Sequence, residues 1–320
     1  MIVRPFAAVA LTAAVLCLSA AGTAVAEPPV VQAVSVRERW KAGDVFTRTG
    51  DESETVRMKI TAEEQVVSDV TRERRTTYNT VGRVVEVDAV GHATRLVLYF
   101  VAWNHVGRGG QDGSLAGLRI EVTGRGKARS FQVLTPDVKP SEGAQRWLDD
   151  RFGRPREGAE LDGKDSDDLL EPSRPLAVGE TWTPDVAAIA KVLSARLPVD
   201  SDKVTAEAKL EGVEGGLAKV VVRLKVPLRG LEAGEGSPML AWKQGGTLET
   251  TVHSSRSTSN GFEGTQVRET KLEGIADAQG ADVDFDLVSR TEVVVKAGGT
   301  MPPLPDVPAE PATPGAPQGK

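Results

Sequence analysis

Three histidines, one cysteine, a few serines and a set of acids are the residues with which this chain could do chemistry. His92, His105 and His253 fall in different strands or turns, so a three-histidine metal site would need all of them to converge. Ser114, in "QDGSLAG", comes nearest to a nucleophile elbow. Asp112 stands two residues before it, however, where Gly-x-Ser-x-Gly needs glycine, and no Ser-x-x-Lys occurs. No His-Glu-x-x-His is present. The glycine-rich runs "VGRGGQDG" and "TGRGKAR" fit neither a phosphate loop nor a dinucleotide turn, and both read as hairpin loops.

Acids are more plentiful. "DGKDSDDLLE" places Asp162, Asp165 and Asp167 close together, with Asp168 and Glu171 behind them. Hard oxygen ligands of this kind suit calcium, but the spacing is not that of an EF-hand loop and reads first as a solvated linker. "DVDFD" sets Asp282, Asp284 and Asp286 on one strand face and Val283, Phe285 and Leu287 on the other, the pattern of a wet outer face over a core. A carboxylate pair for glycoside hydrolysis can be built from residues distant in sequence. The clefts of such enzymes use aromatic platforms, and aromatics here are only 4%. No cofactor signature is found.

The elements that must position these residues belong to an exported chain. Arg4, the apolar run "FAAVALTAAVLCLSAAG" and the small residues Ala24–Ala26 read as a signal peptide over 1–26, cleaved before Glu27. Cys17, the only cysteine, would leave with it, which rules out disulfides and thiolate chemistry in the mature protein. Of 39 basic residues Arg4 leaves too, so 38 face 45 acidic ones, a net charge of −7. That balance disfavours nucleic acid and anionic membrane as main partners. Once the signal is removed, no transmembrane span is expected.

Beyond a leader at 27–36, the body is strand-like. "RTTYNTVGRVVEVDAVGHATRLVLYFVAW" reads as two strands joined at "DAVGH", and "LRIEVTGRGKARSFQVL" and "KVTAEAKLEGVEGGLAKVVVRLKVPLRG" repeat the form. Two helices interrupt it. One is capped by Ser141, shows Ala144, Trp147, Leu148 and Phe152 on one face and stops at Gly153. The other is capped by Thr183, with Pro184 in its first turn, and carries Val186, Ile189, Ala190, Leu193 and Leu197 up to Pro198. A charged linker at 159–175 divides a first β module, 37–158, with its helix near 141–152, from a second at 176–297. Residues 298–320, rich in Pro and Gly, read as a disordered tail.

Each module opens on the same phrase, Gly43-Asp44-Val45-Phe46 and Gly179-Glu180-Thr181-Trp182. The glycine suits a turn with positive φ, the acid a turn position, and the aromatic an inward start to a strand. No histidine is near either copy, so the phrase reads as structure and not as an active site. "GHATRLVL" and "GGLAKVVV" extend the parallel, as expected of an internal repeat.

On "WKAGDVF", "VDAVGHATRLVL", "GLRIEVTGRGKARSFQVL" and "RPLAVGETW", which together span most of Arg37–Asp185, the chain resembles a family of uncharacterised exported bacterial proteins, β-rich and built of two modules. The resemblance implies no activity and no functional residues. More distantly the pattern is similar to periplasmic lipoprotein carriers, a likeness of fold alone.

The expected fold is therefore mainly β: two related antiparallel modules, half-barrel or sandwich-like, with two short helices and the tail. The expected role is non-catalytic, in the periplasm or outside the cell, through an unknown ligand or an envelope protein. An acyl-chain carrier is one alternative, because "RLVLYFVAW" is more continuously apolar than a half-exposed strand requires; Leu96, Leu98, Phe100 and Trp103 would line its groove. A carboxylate-based hydrolase is the other.

Overall fold

The computed structural model describes residues 33–303, except positions 137, 156, 160, 162, 163, 165 and 233–238. The expected signal peptide and the tail beyond Pro303 lie outside the described residues.

Alternating sequence builds long strands, and all of them join one open antiparallel sheet. β1 (Val45–Ala62), β2 (Gln65–Val87) and β3 (Ala93–Gly107) form a meander. The short β4 (Gly110–Asp112) folds back on β3, and β5 (Arg119–Thr123) and β6 (Ser130–Val133) finish one edge. Helix α1 (Glu142–Phe152), β7 (Thr181–Trp182) and α2 (Val186–Ser194) follow. β8 (Thr205–Glu214), β9 (Leu217–Pro227), the short β10 (Gly230–Glu232), β11 (Met239–Ser257), β12 (Gly264–Ala278) and β13 (Ala281–Ala297) complete the chain. The spatial order is β6-β5-β3-β2-β1-β13-β12-β11-β9-β8-β7, with β4 on β3 and β10 on β11. The first and last long strands are neighbours: β1 pairs with β13 from Phe46–Ala297 to Ala62–Ala281, so the ladder runs without a break through 37–158 and 176–297.

One face of the sheet is covered. In β2, Tyr78, Thr80, Gly82 and Val84 are buried on it while Arg83 is exposed. α1 adds Ala144 and Leu148 to a core with Leu98, Phe100, Ile120 and Val122. α2 lays Ala190 against Val226 and Leu272 farther along the same face. Asp150, near the end of α1, pairs with Arg196, just past α2, at 3.4 Å. Arg151 fastens α1 to the sheet. It donates to the Tyr78 hydroxyl at 3.0 Å, pairs with Glu52, and lies 4.7 Å from the centre of the Trp147 ring, a cation–π contact.

The caps follow the sequence in α1 and depart from it in α2. Ser141 accepts from the Ala144 N–H at 3.0 Å, as its type predicts. In α2 the cap is Asp185 and not Thr183: its carboxylate accepts from the Ala188 N–H at 3.1 Å, so the helix begins after Pro184. It also ends at Ser194, and Leu197 falls in a following turn closed by its N–H to the Leu193 carbonyl.

The two opening phrases adopt one geometry. Gly43 and Gly179 have φ of +93° and +87°. Asp44 accepts from the Lys41 N–H at 2.8 Å, and Glu180 accepts from the Ala177 N–H at 2.9 Å. Gly43 then donates to the Val84 carbonyl, while the Val84 N–H returns to Asp44; Gly179 and Glu180 exchange the same pair with Leu210. Phe46 is buried in the core, and Trp182 is half-buried with its indole N–H on the Leu170 carbonyl at 3.1 Å. No titratable partner joins either acid from the other phrase.

Candidate functional site

Among the described residues, His92 has a carboxylate at each of its ring nitrogens, and a hairpin turn builds the centre of this site. Asp88 closes the β2–β3 turn by accepting from the Val90 and His92 N–H groups, each at 2.9 Å, which fixes His92 four residues on. Gly91, at φ +93°, makes that reversal feasible. Arg125 enters from the loop after β5, Asp168 from a 3-10 turn at Ser166–Leu170, Glu171 from just beyond it, and Arg256 from the end of β11.

Arg125 is the hub. Its guanidinium lies 2.6 Å from His92 Nδ1, 3.3 Å from Asp88 and 2.5 Å from Asp168. A guanidinium only donates, so Nδ1 accepts from it and the ring proton belongs on Nε2, which faces Asp168 Oδ1 at 3.9 Å. Asp88 Oδ2, 3.1 Å from the same Nδ1, is then held by Arg125, while Asp88 Oδ1 takes the two backbone amides. Arg256 pairs with Glu171 at 2.7 Å.

His92, Asp168 and Glu171 offer ligand atoms within 4.8 Å of one another, a spacing a metal ion could use. Two guanidiniums already occupy their carboxylates, so in this arrangement the node is an ion-pair clasp between the hairpin, the 3-10 turn and β11. Beside it lies a crevice of ≈ 20 Å³ lined by Val36, Pro172, Trp182 and Val252, room for about one water.

The other sequence candidates are dispersed. Ser114 and Asp112 anchor α1: Ser114 Oγ accepts from the Ser141 N–H at 3.1 Å, and the Ser141 hydroxyl donates to Asp112. His105 bonds Thr76 through Nδ1 at 2.8 Å and stacks on Trp103. His253 is exposed on β11. Asp162 and Asp165, and the side chain of Asp167, lie outside the described residues. Asp282 and Asp284 are exposed on the sheet face opposite buried Val283, and Asp282 pairs with Lys243 at 2.6 Å.

The apolar run lies beneath α1. Leu98, Phe100 and Trp103 are under 5% exposed, and half-buried Leu96 packs on the same cluster. Phe100 and Trp103 are three residues apart, yet both point inward. The register slips between Asn79–Ala102 and Thr80–Phe100, leaving Val101 as a bulge that resets the alternation.

Asp88 and Asp112 are held ionised. Burial acts to raise Asp88 and Asp112. It is outweighed at Asp88 by the backbone amides of His92 and Val90, and at Asp112 by Ser141 and Ser114, so both lie below their ordinary value. Hydrogen bonds from Arg75 and Arg57 lower Asp51 and Asp69. A depressed carboxyl stabilises the fold above its unfolded pKa and loses that contribution as pH falls through the folded one. The thermal midpoint is therefore expected to be level from about pH 7 to 5 and to fall below about pH 4. Asp112→Asn should flatten the fall; an unchanged acid limb would refute the Asp112 anchor.

The Arg125 clasp was illegible in the sequence. "DAVGH" marked the turn, but nothing near Arg125, Asp168, Glu171 or Arg256 announced that they meet.

Among the described residues no helix is long and apolar enough to cross a membrane. No known protein family matches the chain, and no curated protein matches its sequence. Among solved structures it is similar to a lipovitellin chain, in a structure concerned with lipid–protein interactions, at 7% identity and a TM-score of 0.40 over 83% of this chain. The match covers 26% of that chain, about a quarter of its length. It is also similar to an outer membrane channel from Pseudomonas putida F1, at 8% identity and a TM-score of 0.21, over 84% of this chain and 99% of the other. Likeness at these scores says nothing about ligand or activity.

Proposed function

We propose that the chain is an exported, non-catalytic binding protein that acts through its surfaces and not through an enclosed reaction centre. The observation that carries this is the Arg125 clasp. Where histidine and carboxylates converge, guanidiniums stand between them, so none is poised as a general acid, and the carboxyl groups with a resolved shift are all lowered. General acids need the opposite shift.

A carrier of acyl chains is the second reading. It is supported by the apolar row Leu96, Leu98, Phe100 and Trp103 under a short helix, a lid that an acyl chain would have to lift. Native and denatured mass spectrometry of the protein from its own envelope tests both readings. A denatured mass beginning at Glu27 and a native mass free of lipid are expected. A native excess equal to an acyl lipid would replace the surface reading with the carrier. Hydrolysis of an ester or glycoside that disappears in Asp168→Asn would overturn the non-catalytic reading.

A further inference from the structure

The face of the sheet opposite α1 holds a buried arginine. Arg119 in β5 is only 4% exposed, and among the described residues no carboxylate meets it. Its Nη2 donates instead to the carbonyls of Pro302 and Pro303, at 2.5 and 3.2 Å, and its guanidinium lies 5.8 Å from the centre of the Tyr99 ring. Its Nε is buried without a partner. A guanidinium so desolvated costs stability unless its donors are used, and here backbone carbonyls of a passing chain use them.

The passing chain is the segment after β13. Gly298 donates to the Val45 carbonyl at 2.7 Å, and Gly298 and Gly299, at φ +88° and +124°, swing the backbone out of the sheet. Gly299 then lies over Thr47 and Val81. Strand register makes the path beneath it continuous: Thr47 pairs with Val81, Val81 with Tyr99, and Tyr99 with Arg119, one row straight across four strands. From the gap between Thr47 and Val81 to Arg119 is two and a half strand spacings, about 12 Å. Four residues of polyproline II conformation cover about 12 Å. An aliphatic and aromatic floor with a donor aimed at prolyl carbonyls is how proline-rich segments are held elsewhere, because their amides donate nothing and their shape is already extended.

We propose that the row Thr47–Val81–Tyr99–Arg119 is a receptor groove for an extended proline-bearing segment of a protein partner, and that residues 298–303 are its displaceable resident. This groove is on the face away from the Arg125 clasp, and the proposal stands apart from the reading of that node.

The full chain carrying Gly299→Val supplies the test. A Cβ at Gly299 meets Thr47 Cγ2 at 2.9 Å in a backbone conformation that valine resists, so the resident is released while every groove residue is kept. A fluorescein-labelled, C-terminally amidated peptide of residues 297–303, with norleucine for the methionine, should bind this variant saturably. It should bind the unaltered chain about tenfold more weakly, because that groove is filled. Adding Arg119→Lys should cost about tenfold, since lysine has no fork for two carbonyls. No saturable binding, or binding indifferent to Arg119→Lys, would overturn the proposal. The unaltered chain gives an independent reading: half-buried Met301 should react with peroxide more slowly than Met239, which is 52% exposed, and excess peptide should speed Met301 alone. Failure of the peptide to speed it would also overturn the groove.

Discussion

Replacing Gly82 by valine should destabilise the protein by about 3 kcal/mol, among the largest effects expected of a single substitution outside its ion pairs. Gly82 faces Phe46 across the β1–β2 ladder, and the far end of the ring occupies the place where a side chain would stand. Phe46 has nowhere to go. It is 5% exposed, with Trp40 at 4.8 Å between ring centres, and Trp40 is itself stacked on Phe262 at 3.9 Å. Added volume would therefore be transmitted through three rings to the β11–β12 turn. The same device recurs four residues along, where the Tyr78 ring covers Gly50. Gly212→Ala is the matched control: it has no atom within 4 Å of the added methyl and no positive φ, and should stay within about 0.5 kcal/mol of the parent. Urea unfolding of the three proteins decides the matter. A Gly82→Val protein as stable as the control would mean that Phe46 does not rest on Gly82.

Arg125→Met should cost about 3 kcal/mol by a different mechanism. Arg125 and Asp168 are 10% and 18% exposed along their side chains, so solvent screens their attraction little. Removing the guanidinium leaves the carboxylates of Asp88 and Asp168 flanking the His92 ring without the cation they share. The double variant Arg125→Met, Asp168→Asn should recover part of the loss, because one of the two carboxylate charges is gone. Arg57 and Asp69, 52% and 40% exposed, form a 2.8 Å pair screened by solvent, and Arg57→Met should cost far less. A cost for Arg125→Met as small as that would show that the clasp is a surface contact and would remove the main support for reading the node as structural.

Most of the local structure was legible in the sequence, because it is encoded by neighbours a few residues apart. Alternation in "TYNTVGRV" yields a strand with one buried face. Ser141 finds the Ala144 amide within its own turn. Gly43-Asp44 and Gly179-Glu180 each close a turn whose partner is three residues back. Thr183 failed as a cap because Asp185, two residues on, offers a stronger acceptor just past the constraint of Pro184.

What sequence alone did not determine was decided between distant segments. Many alternating strands suit any edge of a growing sheet, so nothing local marks β1 and β13 as neighbours; register and the covering helices choose them. Parity within a strand also escaped. Phe100 and Trp103 share a face only because β2 leaves Val101 unpaired. Charged partners are chosen last, since an arginine carries no preference for one acid over another until the backbone brings one near. Arg125 meets Asp168 and Arg119 meets two prolyl carbonyls because tertiary packing removed water from those guanidiniums and left those acceptors in reach. The sequence determined an alternating β chain with capped helices and paired opening turns. Only the folded sheet decided which of its charges became a clasp and which became a groove.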